Sequence, residues 1–495
     1  MKDYIIINPL DNVAVCLREH QAGEVIEGVT LLQAIPRAHK VALKDIKKGE
    51  NIIKYGCPIG HATADIKTGE WVHTHNVATN LDDVITYTYE PEYPPVLGYK
   101  DTKRTVDVYE RKNGQYGVRN ELWIVQTVGC ISGNAHRIIQ EFKKRHDTSD
   151  IDGVFTFNHP FGCSQMGGDL DMTRTILTDM TIHPNAGGVL VLGLGCEENQ
   201  MPKFIETLEK LGYDKERTRF LVSQETEDEI EDGVKLLEEL YEKMRYDKRV
   251  TRPLSVLKIG LKCGGSDGMS GITANPLLGR LSDFLSINGA TTCLGEVPEM
   301  FGAEQLLMAR AKDKATFDQI VKLINDFKIY FKNHHQVIYD NPSPGNKAGG
   351  ITTLEDKSLG CTQKGGASKV NGVIEMGGLI KEKGLNLIST PGNDLCACTT
   401  LAAAGVQMVL FTTGRGTPFG TFVPTMKIAT NTDLATKKSN WIDYNAGDLV
   451  DKKDMDQLLE DFIDLVCDVA SGKKQAKNEI NEFREISIFK DGVML

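Results

Sequence analysis

The feature that most constrains the fold is an alternation of strand-like and helix-like patterns that starts near residue 107. Short apolar runs typical of buried strands are separated by amphipathic stretches long enough for helices. Consecutive strands joined by helices pair in parallel, because each connection has to return across the sheet. The sequence therefore predicts an α/β fold with parallel sheets and helices on both faces.

The alternation also predicts the individual elements. Predicted strands cover 121–127, 153–157, 188–194, 219–223, 256–261, 291–296, 384–389, 407–411 and 426–429. Predicted helices cover 135–145, 169–180, 202–211, 227–244, 277–287 and 455–470, with further helical sequence up to residue 331. The pattern leaves open whether these strands form one sheet or two.

The first 88 residues predict a small β-rich domain instead. Apolar stretches at 4–8, 13–17 and 41–43 are typical of short strands. The sequence DIKKGE at 45–50 has a weak echo, DIKTGE, at 65–70, which predicts two similar hairpin corners. Prolines in the following segment disfavour regular structure and predict a linker. The predicted segments are a β domain 1–88, a linker 89–106, a middle α/β domain 107–250 and a C-terminal α/β domain 251–495.

Composition narrows the class of partner. With 57 Lys and Arg against 68 Asp and Glu the net charge is −11, which disfavours nucleic acid and anionic membranes. No apolar run is long enough to span a bilayer, and the start of the chain shows no export signal. Eleven cysteines, an odd number, then predict reduced thiols in a cytoplasm. A small-molecule ligand is the remaining expectation.

Four predicted strands end next to a cysteine, and ligands of open parallel sheets bind at the carboxyl ends of the strands. These cysteines are Cys130, Cys163, Cys196 and Cys263. Thiolates are natural ligands for iron or zinc, although cysteine is also a small hydrophobe that favours buried strand ends. We predict a metal site of one of two kinds. One is a single iron(II) with His159 and carboxylates such as Glu197; the other is an iron–sulfur cluster with one iron open to substrate.

Other polar residues follow the predicted strands. Glu198, Glu296 and Glu299 are further carboxylate candidates, and Glu296 is the more favoured of the last two. Glycine-rich stretches at 342–350, 390–394 and 412–420 predict anion nests, in which Lys347 and Arg415 bind a carboxylate unless they lie in plain surface turns. Neither a phosphate loop nor a dinucleotide fingerprint is present, so nucleotide chemistry loses support. In the small domain, His73 and His75 predict a metal or acid-binding pair or a polar rim.

Several motifs in order carry a family resemblance. They are GCPI at 56–59, RKNGQYGVRN at 111–120, FGC at 161–163, GLGCE at 193–197, CGGSD at 263–267, PGNK at 344–347 and TGRGTP at 413–418. Over nearly the whole chain the sequence resembles the altronate and galactarate dehydratases. EMFGAEQLL at 299–307 and EDKSLGCTQK at 355–364 are closer to the altronate branch. The resemblance implies an N-terminal β-clip (SAF-like) domain, a linker, a middle domain used in dimerisation, a C-terminal Rossmann-like domain and iron dependence under reducing conditions.

The resemblance also implies a reaction, the loss of water from D-altronate to give 2-keto-3-deoxy-D-gluconate. A base takes the C2 proton and the C3 hydroxyl leaves, so we predict His159 as the base, Lys347 as the carboxylate clamp and His39 as a group brought in when the small domain closes. Predicted substrate-binding residues are Lys40, Ser266, Asp267, Asn346, Arg415 and Gly416. Predicted metal ligands are Cys130, Cys163, Cys196, Cys263 and Glu197.

Four other functions fit parts of this pattern. Galactarate dehydration and a related sulfo-lyase reaction would use the same elimination chemistry. An NAD-dependent sugar-acid dehydrogenase would fit the α/β sheet but lacks the fingerprint, and a sugar-acid sensor would need the anion nests without the strand-end thiols.

Overall fold

The computed structural model describes residues 3–495. Residues 1 and 2, which belong to the predicted β domain and to the start of the chain examined for an export signal, lie outside the described residues. Between residues 3 and 495, every helix is too short or too polar to cross a bilayer.

The N-terminal region is built from short antiparallel strands. They are β1 Tyr4–Ile5, β2 Val13–Cys16, β3 Val25–Ile26, β4 Val29–Thr30, β5 Lys40–Ala42, β6 Asn51–Lys54, β7 Cys57–Ala62, β8 Trp71–Val72 and β9 Val77–Ala78. Strands β1-β2-β5-β8 form one sheet, β6-β7-β9 form a second, and β3-β4 form a hairpin. Strands this short cannot bury a large core alone, so the region relies on packing against the rest of the chain.

The two echoing hexapeptides pair with one another, which confirms the two similar hairpin corners. An antiparallel bridge joins Ile46 to Ile66. The Asp65 carboxylate accepts from the amide of Lys48 at 3.0 Å, and Asp45 accepts from the amide of Thr68 at 2.9 Å. Each aspartate therefore caps the turn of the other corner.

A buried ion cluster fastens this region to the C-terminal region. Asp356 accepts from Lys40 Nζ at 2.8 Å and from Lys54 Nζ at 2.9 Å, and all three side chains are at most 2% exposed. The Ala38 carbonyl packs so tightly that a methyl group at Gly268 or Gly350 would lie 2.2 Å from its oxygen. The N-terminal region is thus packed against the loops that follow the strands of the C-terminal sheet.

The Pro-rich residues 89–104 contain neither helix nor strand, whereas residues 105 and 106, the end of the predicted linker, belong to the first strand of the next region. The middle region follows. Its strands are β10 Thr105–Glu110, β11 Tyr116–Gly117, β12 Glu121–Gln126, β13 Gly153–Thr156, β14 Ala186–Gly193 and β15 Thr218–Val222. Its helices are α1 Ser132–Arg145, α2 Gly167–Thr181, α3 Met201–Leu211 and α4 Glu229–Met244. Strands β13-β12-β14-β15 form a parallel sheet.

Both faces of this sheet are apolar, and alternate residues of β12 divide between two cores. Leu122 and Ile124 pack with α1 and α4, whereas Trp123 and Val125 pack in a core that includes Phe422 of the C-terminal region. The two α/β regions therefore share a core through helices of both, including α2 and the C-terminal helix that begins at Asp394.

Residues 245–253, a basic stretch at the predicted boundary between the two α/β domains, take part in a sheet. They contain β16 Val250–Pro253, which pairs antiparallel with β10 in the three-stranded sheet β11-β10-β16. The Arg249 guanidinium donates to the carbonyls of Asp107 at 2.8 Å and Val118 at 3.0 Å, which half-buries it. Sequence charge alone could not show that Arg249 donates to these two backbone carbonyls.

The C-terminal region contains a second, larger parallel sheet. Its strands are β17 Lys258–Cys263, β18 Thr291–Leu294, β19 Val370–Ile374, β20 Gly384–Ile388, β21 Met408–Thr413, β22 Thr425–Ala429 and β23 Tyr444–Asn445. Its helices are α5 Ala274–Ile287, α6 Glu304–Met308, α7 Lys314–Asn333, α8 Pro344–Ala348, α9 Leu354–Cys361, α10 Asp394–Ala403, α11 Thr432–Lys437, α12 Met455–Ala470 and α13 Lys477–Ile480.

The order β19-β20-β18-β17-β21-β22-β23 places a topological switch point at β17. The chain leaves β17 towards β18 on one side and returns to its other side through β21, so the connections on the two sides diverge. Ligands of open α/β sheets bind outside the carboxyl ends of the strands at such a point. The predicted α/β fold is confirmed, and its pattern of strands resolves into two separate sheets.

Candidate active site at the carboxyl edge of the seven-stranded sheet

Three potential metal ligands meet at the switch point. Cys263 is the last residue of β17, Glu299 lies in the turn Val297–Met300 after β18, and Cys361 is the last residue of α9. The two sulfur atoms are 3.3 Å apart, and each is 3.3 Å from Oε2 of Glu299. Among residues 3–495, this is the group of His, Cys, Asp and Glu whose ligand atoms all lie within 4.8 Å of one another.

Glu296 holds the end of β18 against the end of β17. Its backbone is left-handed, with φ of 67°, a conformation that costs energy for any residue but glycine. The Thr390 hydroxyl lies 2.6 Å from its amide, and its carboxylate accepts from the Cys263 amide at 3.0 Å. This strained turn directs the Glu296 carboxylate into the cluster instead of into the next helix.

Three buried lysines surround these groups. Lys364 Nζ lies 2.7 Å from Sγ of Cys263 and 3.0 Å from Glu296, and Lys357 Nζ lies 2.8 Å from Glu299. Lys262 pairs with Glu296 and is 2.9 Å from Asp394. Ammonium groups this close to thiols and carboxylates favour the anionic forms of both.

Electrostatics at the site follow from these pairs. Burial alone would raise the pKa of Glu299, but Lys357 and Lys262 hold it well below its ordinary value. The bond to Cys263, with burial, raises the pKa of the Cys361 thiol far above its usual range. Burial disfavours the charged form of Lys364, yet the charges of Cys263 and Glu296 raise its pKa.

The donor set fits a divalent metal of borderline softness. Two thiolates and one carboxylate are suitable ligands for iron(II) or zinc, and three protein ligands leave a coordination position for substrate. Two thiolates and three carboxylates carry five negative charges against the three positive charges of the lysines. The difference of two equals the charge of one divalent cation. The groups counted are Cys263, Cys361, Glu296, Glu299, Asp394, Lys262, Lys357 and Lys364.

Several predicted substrate-binding residues lie beside this cluster. Asp267 accepts from the Thr430 hydroxyl at 3.0 Å, and Asn346 donates to the Ser266 carbonyl at 2.8 Å while accepting from Lys357 at 3.1 Å. The Arg415 amide donates to Gly265 at 2.9 Å, which joins the loops after β17 and β21. Gly416 follows in the same loop, and the half-buried Lys347 lies in α8 beside Asn346.

The space next to the cluster is small. A cavity of about 10 Å³, roughly the room of one water molecule, is lined by Cys361, Asp267 and Ser266 together with Lys54 and Tyr55 of the N-terminal region. The N-terminal region therefore closes the site in this conformation. A six-carbon ligand requires that region or its neighbouring loops to move.

His39 and Lys40 reach the site region, but their polar atoms are engaged. Lys40 donates to Asp356 and to the Gly350 carbonyl, both at 2.8 Å. Nε2 of His39 lies 3.4 Å from the Ala348 carbonyl, and Trp71 donates to its Nδ1 at 3.2 Å. Burial lowers the pKa of His39 to about 4, so the ring is neutral at physiological pH. Their catalytic and binding roles stay predictions.

Histidine burial in the N-terminal region leads to a pH prediction. His73 stacks on Trp71, its Nδ1 is buried without a partner, and burial followed by the charge of Lys40 lowers its pKa to about 3. Unfolded histidine binds a proton below about pH 6.5, so the unfolded state gains stability as the pH falls from 6.5 towards 3. Between pH 7.5 and pH 5 the wild type should lose about 2 kcal/mol of its free energy of unfolding because of His73. The His73→Phe variant, which keeps the stacking, should not show this loss.

Urea unfolding of both proteins at the two pH values measures this difference. At pH 7.5 both rings are uncharged, so the stability difference measured there reports packing alone and is the internal control for the difference at pH 5. Parallel pH dependences in the wild type and the H73F variant would contradict the prediction.

The remaining predicted residues lie at the other sheet. Cys130, Cys163 and Cys196 follow β12, β13 and β14, so they do not share an edge with Cys263 as the sequence suggested. Local periodicity cannot say how many sheets a series of strands forms, which is why the four cysteines were grouped together.

His159 and Glu197 hold the loops of the middle sheet. Nε2 of His159 lies 3.0 Å from the Gln126 carbonyl, its Nδ1 accepts from the Phe161 amide at 3.2 Å, and burial lowers its pKa. Glu197 accepts from the Thr127 hydroxyl and the Gly195 amide, both at 2.6 Å. Both side chains are fully occupied by neighbours here, and their roles as base and ligand remain predictions.

Four functional candidates at the switch point were not singled out from the sequence: Cys361, Lys262, Lys357 and Lys364. One signal was available: Lys262 stands between the apolar residues 259–261 and Cys263 at the end of a predicted buried strand, where a charge needs a buried partner. Cys361 and Lys364 are three residues apart across the end of α9, a spacing that brings side chains to one side.

The fold and the site together define an α/β enzyme with a buried cluster of thiols, carboxylates and lysines at a topological switch point. Three family models match the chain: the altronate/galactarate dehydratase SAF domain over residues 2–80, the D-galactarate dehydratase/altronate hydrolase second domain over 108–245, and the D-galactarate/altronate dehydratase C-terminal domain over 254–494. The chain therefore belongs to the altronate and galactarate dehydratase family and is an enzyme of the hydro-lyase class. The predicted SAF-type domain is confirmed.

Named relatives match over all or nearly all of their length. The chain is 57% identical to an altronate dehydratase of Escherichia coli strain K12 over 99% of this chain and 100% of the relative. It is 54% identical to an altronate dehydratase of Bacillus subtilis strain 168 over 100% of both chains. A galactarate dehydratase (L-threo-forming) of Escherichia coli is 33% identical over 95% of this chain and 93% of the relative.

Proposed function

We propose that this protein is an iron-dependent dehydratase that converts D-altronate into 2-keto-3-deoxy-D-gluconate and water. The observation that carries the substrate is the full-length identity of 54–57% with two altronate dehydratases, against 33% with a galactarate dehydratase. The buried cluster at the switch point supports an elimination that needs both a base and a site for a carboxylate.

We assign the iron to Cys263, Glu299 and Cys361. Their donor atoms lie within 4.8 Å of one another, and their charge with that of their neighbours suits a dication. A bound divalent ion supplies Lewis-acid stabilisation of the negative charge that develops on the substrate carboxylate. The eleven free thiols agree with an enzyme that works in a reducing cytoplasm.

Binding of the substrate carboxylate is assigned to cationic and amide groups at the rim of the cluster. Lys347 lies in α8, whose Asn346 contacts Ser266, and Arg415 lies in the loop after β21, whose amide contacts Gly265. Among residues 3–495, neither side chain takes part in the buried ion pairs of the cluster. Lys357, bound to Asn346 and Glu299, adds positive charge beneath them. Fixed cations of this kind stabilise an enediolate more than they stabilise the ground-state carboxylate.

The C2 proton is assigned to the Glu296 carboxylate, which can accept it and is held between Lys262 and Lys364. The two lysines are ammonium groups, so they can supply the proton that the departing hydroxide takes. The C2–H bond breaks first, the C3–O bond then breaks, and the departing hydroxide takes a proton to leave as water. The enol that remains takes a proton at C3 and becomes the 2-keto acid. His159 and His39 are the alternative bases.

Closure by the N-terminal region excludes water from this chemistry. Tyr55 and Lys54 line the cavity beside Cys361, so moving them away opens the cluster to substrate. A low-dielectric closed site strengthens each charge–charge interaction in the transition state. We further propose a homodimer formed through the middle domain, which light scattering would test.

An anaerobic assay tests the function. Purified protein with iron(II) and a thiol reductant should form 2-keto-3-deoxy acid from D-altronate, at least about tenfold faster than it turns over galactarate, since one misplaced charged group costs more than 1.4 kcal/mol. Removal of iron with a chelator should abolish the product. Galactarate turning over faster than altronate would overturn the substrate, and full activity in iron-free protein would overturn the metal.

A further inference from the structure

The three exposed cysteines of the chain all lie at one edge of one sheet. Of the eleven free cysteines, Cys130, Cys163 and Cys196 are exposed, and the other eight are buried or half-buried. They follow β12, β13 and β14, and the sheet order β13-β12-β14 makes these strands immediate neighbours. Cysteine is among the most buried residue types, so three exposed thiols on adjacent strand ends need an explanation other than packing.

Backbone contacts tie the three loops together. The Gly129 amide donates to the Phe161 carbonyl at 2.9 Å, and the Asn199 amide donates to the Gly162 carbonyl at 3.2 Å. The Asn199 side chain also donates to the Thr127 carbonyl at 3.0 Å. The loops that carry Cys130, Cys163 and Cys196 are therefore one bonded unit, and their spacing is fixed.

Glycines allow this close approach. A methyl group at Gly129 would lie 2.2 Å from the His159 carbonyl oxygen, and one at Gly162 would lie 2.1 Å from that of Thr127. Gly162 and Gly195, each next to a cysteine, have φ of 97° and 126°, values that favour glycine. The residue before each of the three thiols is thus constrained to glycine by packing or by conformation.

Two polar side chains buried beneath the loops hold the loops in place, and their polar atoms are already hydrogen-bonded within the protein. His159 bonds to the backbone at both ring nitrogens, and Glu197 bonds to Thr127 and to the Gly195 amide. The Gln224 amide lies 3.6 Å from Sγ of Cys196, as a weak hydrogen bond to sulfur. Hydrogen bonds to sulfur are one of the ways in which a protein tunes a thiolate-bound cluster.

We propose that Cys130, Cys163 and Cys196 are the three thiolate ligands of an iron–sulfur cluster, separate from the buried site at Cys263, with one iron left without a protein ligand. A single ion would need all three sulfurs at about 2.3 Å from one point. The three do not form a group within 4.8 Å among residues 3–495, whereas a multi-iron cluster spans a wider set of thiolates.

The test uses the full-length protein purified without oxygen. Iron, zinc and acid-labile sulfide are counted per chain, and visible absorption and electron paramagnetic resonance are recorded after reduction. We expect about four sulfides per chain and the charge-transfer absorption of a [4Fe–4S] cluster. The Cys163→Ser variant should lose sulfide and absorption together.

Two matched variants locate the cluster. Cys57→Ser changes a half-buried cysteine of the N-terminal region and should keep the full sulfide content. Cys361→Ser alters the buried site and should also keep it, which separates failure of this proposal from failure of the proposed iron site. Loss of sulfide in Cys361→Ser with retention in Cys163→Ser would overturn the proposal.

Thiol labelling gives a result that does not depend on variants folding. In protein as isolated, iodoacetamide should leave Cys130, Cys163 and Cys196 largely unmodified; after the cluster is removed under reducing conditions, mass spectrometry should find all three alkylated. Equal labelling before and after, or bound zinc without sulfide, would overturn the cluster.

Discussion

Replacing Glu299 by glutamine should lower kcat for D-altronate on the order of a thousandfold, which corresponds to about 4 kcal/mol of lost transition-state stabilisation. Glutamine has nearly the same shape but no charge, so the donor set of Cys263, Glu299 and Cys361 loses an anion. Lys357, 2.8 Å from Oε1 of Glu299, loses its carboxylate partner at the same time. The local charge becomes more positive, and affinity for a dication falls.

The measurement combines steady-state kinetics with the iron content of the same preparation. The matched control is Glu304→Gln, because Glu304 is also a buried carboxylate paired with a lysine, Lys328 at 3.0 Å, but lies outside the site. That variant should lose stability and keep its activity per folded molecule. Activity of E299Q within tenfold of the wild type, at normal iron content, would remove Glu299 from the site.

Strand and helix positions could be predicted because buried strands and amphipathic helices have distinct periods. The predicted strand 121–127 is observed as β12 Glu121–Gln126, and the predicted helix 227–244 as α4 Glu229–Met244. The short strand β16 was missed because its sequence, VTRP, has an arginine and a proline and depends on β10 for its partner. Edge pairings of this kind depend on contacts distant in sequence.

Only part of the candidate site could be predicted from the positions of the strands. Cys263 and Asp267 were found because the carboxyl end of a parallel strand is a reliable place to look, and β17 is central. Cys361 and Lys364 come from the end of a short helix about a hundred residues further along the chain. Only the packing of α9 against the turn Val297–Met300, and of residues 362–365 against β17 and β18, brings them to Cys263, at 3.3 Å and 2.7 Å.

Lys40 shows how a correct position can have an unexpected partner. The sequence placed it at the site as a substrate-binding cation, and it does reach the C-terminal region. There it meets Asp356, which a one-dimensional pattern cannot reveal, and burial lowers the pKa of Lys40 to about 8. A cation whose charge is already balanced by a buried carboxylate holds two domains together more readily than it binds a substrate.

The second large expected effect is on stability and comes from the buried ion cluster of Asp356, Lys40 and Lys54. Asp356→Asn should destabilise the protein by about 3–5 kcal/mol, because it leaves Lys40 and Lys54 buried beside each other without a countercharge. Asp356 also accepts from the Thr352 amide at 3.0 Å, so asparagine cannot satisfy all the donors that converge on it. The N-terminal region should detach before the rest unfolds, since few other buried charges fasten it.

Urea unfolding and hydrogen exchange measure this effect. Exchange should rise in β5 and β6, which carry Lys40 and Lys54, at urea concentrations where β17 is still protected. Asp65→Asn is the matched control: its pair with Lys47 at 3.1 Å is more than half exposed and should contribute at most about 1 kcal/mol.

Because Tyr55 and Lys54 cover the cluster beside Cys361, D356N should also raise KM more than it lowers kcat, as substrate loses part of its enclosure. A variant as stable as the wild type would mean that the lysines are neutral when buried, and the domain contact would then rest on the packing of Ala38 against Gly268 and Gly350.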